Sequence, residues 1–170
     1  MALEEVRAMA GDITIRRAVE TDAAELCELL SALSSEIGYA AAFRADAEAL
    51  RRHGFGDRPL FRALLAEEPG RALGVAVYFP EFSTLRGQPG VYLQDLYLRP
   101  DARACGLGRR LLGAVIRDAA EWQAGYLRLA THTGNEDAMA FYDRLGFRSD
   151  PRERALMIEG KSLTDLGEIA

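Results

Sequence analysis

The chain has 170 residues, 49% apolar and 28% charged, a balance that fits one packed domain and excludes a mainly disordered chain. Its 21 basic and 26 acidic side chains leave a net charge of −5, which argues against nucleic acid and suits neutral or cationic partners. Two cysteines and two histidines exclude a disulfide framework and a His-rich metal centre, and the absence of a long apolar run or signal-peptide core leads us to expect a cytoplasmic protein that neither enters a membrane nor holds a metal.

Residues 1–11 read as a loose extension, and 12–170 as one domain. Ile13–Ala18 alternates as a short strand. Asp22 and Glu25 form a capping-box signature, and Ala23, Leu26, Leu30, Leu33 and Ile37 then follow at helical steps. A weaker helix spans about Arg44 to Arg52 and stops near His53-Gly54. Strands follow at Phe61–Glu67, Ala72–Phe79 and Val91–Leu98, bounded by Pro and Gly. Gly106–Trp122 is a helix with one apolar stripe, Tyr126–Thr131 a strand, and Asn135 the N-cap of a short helix that ends at Gly146. A last strand over Arg154–Glu159 and a helical turn from Thr164 complete an α+β domain with a mixed sheet flanked by helices.

The strand Val91–Leu98 is apolar on both faces except at Gln94 and Asp95, and polar residues inside a buried strand need a reason. It leads into Arg103-Ala104-Cys105-Gly106-Leu107-Gly108, which opens the long helix. Glycines at a helix mouth let a ligand approach unpaired N–H groups, and Arg109 and Arg110 add positive charge, so the turn suits a pyrophosphate. A plain glycine turn is the structural alternative. A P-loop is excluded because Gly108 precedes Arg109-Arg110, and a dinucleotide fingerprint because Leu111 stands where a small residue is needed.

The order strand, Arg-x-x-Gly-x-Gly, helix, strand, Asn-capped helix carrying Phe141-Tyr142 resembles the GNAT (Gcn5-related N-acetyltransferase) superfamily over residues 13–160. Arg103–Gly108 matches its acetyl-CoA loop, and Asn135 through Phe147 its second signature. Within the superfamily, His53–Pro59, Thr84–Gly87 and Tyr92–Tyr97 are similar to the spermidine/spermine and thialysine type of diamine acetyltransferase. The resemblance implies a mostly antiparallel central sheet, acetyl-CoA as cofactor, a small-molecule amine as substrate, and a homodimer. Leu96, Tyr97 and Leu98 would pair with the pantetheine arm, amides of Cys105 to Arg110 would hold the pyrophosphate, and Asn135 would meet the pantetheine.

The implied reaction is direct transfer to a small primary amine: a diamine, a polyamine or a lysine-like molecule. Tyr142 occupies the position of the family's thiolate-protonating tyrosine, although a core aromatic beside Phe141 is the alternative. The diamine enzymes carry a glutamate where this chain has Gln94, and an amide accepts no proton. The base is therefore Asp95, a carboxylate such as Glu36 acting through water, His132, or solvent; Asp95 is favoured, with Gln94 positioning a water. Glu36 and Asp95 are the expected substrate anions. Arg152 and Arg154, where those enzymes carry aromatic and acidic residues, would repel a long polycation and favour a short or zwitterionic amine. Cys27 reads as core, and Cys105 as a small residue whose amide matters. Two other functions stay open: acetylation of protein lysines or N-termini, and acyl-CoA binding without catalysis.

Overall fold

The computed structural model describes residues 13–151 and 154–168; the expected extension over 1–11 and Arg152 lie outside them. The chain divides into two compact units after His132. The first contains β1 (Thr14–Arg17), α1 (Ala23–Glu36), α2 (Ala47–Gly54), β2 (Arg62–Glu68), β3 (Arg71–Ser83), β4 (Gln88–Leu98), α3 (Leu107–Asp118) and β5 (Leu127–Leu129). The strands lie in chain order, antiparallel from β1 to β4, with β5 parallel to β4. This is the expected mixed, mostly antiparallel sheet.

The apolar periodicities explain why the layers form. On one side Leu26 and Leu29 of α1 and Leu50 of α2 join Leu65, Val75, Val77 and Tyr97 in one cluster. On the other, α3 buries Leu107, Leu111 and Val115 and packs on β2, β3 and β4. Strand β3 lies between these layers, so its run from Ala72 to Tyr78 is buried at every position, as a strand covered on both faces must be. Each large aliphatic side chain removed from water contributes roughly 1.5–3 kcal/mol.

Several expected boundaries change. Asp22 makes no side-chain cap on α1. Its carboxylate accepts from the Val19 amide and from Arg16, while Glu25 accepts from the Ala72 amide, so the capping box gives way to tertiary partners. Helix α2 starts at Ala47, where Asp46 caps the Ala49 amide. Strand β3 runs through Pro80 instead of stopping there. Beyond Tyr78 it has no pairing with β2, and Val91, opposite Pro80, donates its N–H to Tyr126 of the other side, so proline removes no ladder bond there.

The second unit contains α4 (Glu136–Arg144) and α5 (Gly160–Gly167). Asn135 caps α4 as expected, its side-chain oxygen accepting from the Ala138 amide. The strand expected over 154–159 does not form; these residues have no regular structure. An apolar run such as Ala155–Ile158 becomes a strand only when a neighbour pairs with it, and Leu156 and Met157 are exposed. Helix α5 begins at Gly160, earlier than the expected turn from Thr164.

Candidate active site

Strand β4 is the axis of the site. Opposite β3, Val77 pairs with Asp95 and Tyr78 with Leu93, so Gln94 is the extra residue of a β-bulge. On its other edge β4 pairs with β5 only from Val91 to Leu93, although β4 continues to Leu98. From the bulge onward, residues 94–98 present an edge that no strand among the described residues pairs with, a ready template for an extended ligand. Leu96, Tyr97 and Leu98 lie on this edge, and β3 approaches them closely from the far side. A side chain on Gly74 would collide with the Leu98 side chain and lie 2.6 Å from the Tyr97 carbonyl, so only glycine fits opposite Leu98.

The bulge separates its two polar residues. Gln94 is exposed. Asp95, directly opposite Val77, shares the face covered by α1 and α2. No hydrogen bond or ion pair reaches its carboxylate among the described residues, and burial pushes its pKa up to about 6 from an ordinary 3.8, because removing water disfavours the charged form.

After Leu98 the chain makes a 3₁₀ turn, Pro100–Ala102, and passes through two left-handed residues, Ala104 (φ 62°) and Gly106 (φ 80°). Left-handed alanine is uncommon, and such backbone strain clusters at ligand sites. Gly106 caps α3 with no side-chain acceptor, so the first N–H groups of the helix, from Leu107 to Arg109, are open to an anion. A Cβ on Gly106 would meet nothing within 4 Å. The open cavity there is about 460 Å³ and is lined by Ile15, Gly106, Arg109, Arg110, Gly113 and Arg117. Arg110 also donates to the Ile13 carbonyl at 2.9 Å. Sequence reasoning missed Arg117, although Arg109, Gly113 and Arg117 at steps of four mark one helix face. The free helix amides, the arginines and the open strand edge fit a long ligand with a phosphorylated end.

Further side chains of the first unit surround this frame. Arg103 Nε donates to the Leu98 carbonyl at 2.9 Å, and its Nη2 to Glu36 Oε2 at 2.6 Å. Glu36, the expected substrate anion, is thus engaged by Arg103 of the glycine loop. Cys105 Sγ lies 3.2 Å from the Ala102 carbonyl. His132, at the end of the first unit, packs against Tyr39 with ring centroids 4.8 Å apart; Tyr39 gave no sequence signal. Cys27, expected in the core, packs half-buried beside the α1–α2 cluster.

In the second unit Tyr142 lies between Phe141 and Phe147, each at a centroid distance of 5.2 Å. Burial raises its pKa to about 12, so the phenol holds its proton at neutral pH. Among the described residues no cluster of three or more His, Cys, Asp or Glu is placed to hold a metal, and no helix is long and apolar enough to cross a membrane.

Residues 24–147 match the family model described as acetyltransferase (GNAT) family. The chain is 32% identical to the thialysine N-epsilon-acetyltransferase of Bos taurus over 142 residues, 79% of this chain and 83% of the relative. It is also 32% identical to the Caenorhabditis elegans protein of that name over 123 residues, 72% and 71% of the two chains. Among solved structures, an integron cassette protein from V. cholerae superposes with a TM-score of 0.75 at 21% identity, over 92% of this chain and 98% of that one. At that identity the likeness concerns the fold.

Proposed function

Because this chain belongs to the GNAT acetyltransferase family, we propose that it moves the acetyl group of acetyl-CoA directly to a primary amine of a small molecule. The amine is a diamine, a polyamine or a lysine-like compound, and the short or zwitterionic end of that range is favoured. The carrying observation is the course of β4: it leaves β5 at the Gln94 bulge, half-buries Asp95 there, and runs on into the arginine-flanked glycine turn. The similarity to thialysine acetyltransferases supports the lysine-like choice.

Acetyl-CoA supplies an activated thioester. The amides from Cys105 to Arg110 and the side chains of Arg103, Arg109 and Arg110 bind its phosphates. The backbone of Leu96, Tyr97 and Leu98 aligns the pantetheine, and the Asn135 amide group meets it further along.

An amine of pKa near 10.4 is charged at neutral pH, and freeing its lone pair costs about 4–5 kcal/mol. Asp95 takes that proton. With its pKa near 6 the carboxyl is ionised at pH 7 to 8 yet more basic than an ordinary aspartate, a useful setting for a base. Gln94 positions a water on the exposed side of the bulge. Tyr142, protonated throughout this range, donates to the departing thiolate. Glu36 and Asp95 attract the ammonium. We include a cytoplasmic location and a homodimer in the proposal, on the likeness to diamine acetyltransferases.

The test is thiol release from acetyl-CoA with spermidine, putrescine, thialysine, lysine, an aminoglycoside and a lysine-bearing peptide. Saturable release with a small amine is expected. Release with the peptide alone would move the acceptor to proteins. CoA binding without release from any amine would reduce the chain to a binding module.

A further inference from the structure

Glu36 is the last residue of α1, a poor place for a carboxylate, because unpaired carbonyls make a helix C-terminus partially negative. The last turn contains no basic residue. Compensation comes from 67 positions away, where the Arg103 guanidinium meets Glu36 Oε2 at 2.6 Å. Both side chains are close to half-exposed, at 40% for Arg103 and 44% for Glu36, so the pair is within reach of ligands. The same Arg103 donates to the Leu98 carbonyl and lies over the Tyr97 ring at 5.6 Å. It therefore joins the acceptor-side helix, the open edge of β4 and the cofactor loop.

We propose that Glu36 and Arg103 form a latch opened by the cofactor: the pyrophosphate draws Arg103 onto itself, and the uncovered Glu36 carboxylate then receives the acceptor's ammonium. This rests on the acetyl-CoA reading above. The exchange is electrostatically consistent, since a dianionic pyrophosphate outbids one carboxylate for the guanidinium. The carboxylate left at a helix C-terminus then regains a cation from the substrate. The latch makes Glu36 a positioning residue for the cofactor before it is a binding residue for the amine.

Calorimetric titration of CoA into wild type, Glu36→Gln, Arg103→Ala and the double variant tests the first half. An exposed ion pair is a weak competitor, so Glu36→Gln tightens CoA binding about two- to fivefold, while the same change in the Arg103→Ala background leaves affinity unaltered. No tightening, or equal tightening in both backgrounds, overturns the latch; the second result would be a general field effect of the lost charge. Failure of every protein to bind CoA would instead remove the acetyl-CoA reading. The hand-over is tested with thialysine, which is expected to raise the Tm of wild type when CoA is present and not otherwise. An equal rise without CoA, or no rise with it, overturns the hand-over.

Discussion

At the scale of single residues, Asp95 and Tyr142 owe their properties to lost water, and each makes a separable prediction. Tyr142→Phe retains the ring between Phe141 and Phe147 and removes only the hydroxyl that carries the proton. Turnover is expected to fall by about 10²–10⁴, the usual value of a general acid, with little change in the KM for acetyl-CoA; steady-state kinetics with the best amine of the panel check this, and unchanged turnover would remove Tyr142 from catalysis. Asp95→Asn should cost turnover on a similar scale. It should also abolish the fall in kcat/KM as pH drops through about 6, the pKa of the buried carboxyl. Stability moves the other way. The folded carboxyl binds its proton more tightly than the unfolded chain does, so stability declines as pH rises from about 4 through about 6. The shift of about two pKa steps corresponds to at most about 3 kcal/mol, reduced by solvent reaching the partly open site. Asp95→Asn is therefore expected to raise the Tm at pH 7.5 and to leave it nearly unchanged at pH 4. A lower Tm at pH 7.5 would mean that the carboxylate has a partner.

At the scale of elements, the helices were legible because their periodicity is local, and so was the glycine turn, whose residues lie within six positions of one another. The bulge was not. Gln94 and Asp95 read only as two polar residues in a buried strand, and their different fates follow from the register with β3, a non-local choice. The separation of β4 from β5 leaves no local mark either; it was implied only by the family resemblance, in which the strand of Leu96–Leu98 splays from its neighbour. Glu36 was assigned to the substrate, yet its pairing with Arg103 depends on how α1 meets a loop 67 residues away. Close approach at this strand edge gives the element-scale prediction. Gly74→Ala places a methyl against the Leu98 side chain and the Tyr97 carbonyl, so β4 must shift at the edge proposed to align the pantetheine. We expect a destabilisation of about 1–3 kcal/mol, typical of overpacking, and a KM for acetyl-CoA raised several-fold. Denaturant titration and kinetics measure the two, and wild-type values in both would show that the strand edge is not a binding surface.

At the scale of the whole molecule, the layer architecture followed from the order of periodic segments, whereas the polar network that ties the first unit together left no mark in sequence. Tyr78 is fully buried in β3, and its hydroxyl donates to Asp118 Oδ2, at the end of α3, at 2.6 Å. Asp118 also accepts from Arg17 of β1 and Arg62 of β2, and the Arg62 guanidinium lies 4.3 Å from the centre of the Trp122 ring. Three strands and one helix thus converge on one carboxylate. Burial pushes the Asp118 pKa up, but the bonds from Tyr78, Arg17 and Arg62 outweigh it and leave the carboxyl below its ordinary value. A carboxyl held low in the folded state adds stability at neutral pH, and this is lost as pH falls from about 4 through the lowered value. Tyr78→Phe preserves the ring and its packing while removing one of the bonds that hold Asp118 ionised. The expected loss is about 1–3 kcal/mol at pH 7, and it shrinks as pH falls through the lowered value and the carboxyl takes up its proton. The Tyr78 hydroxyl meets the end of α3, whereas Val77 and the paired Asp95 lie on the face covered by α1 and α2, so the KM for acetyl-CoA and the pH profile of turnover should stay as in wild type. Urea melts at pH 7 and pH 3, compared with kinetics on the same samples, separate the two effects; equal losses at both pH values would assign the cost to packing instead of to the carboxylate network.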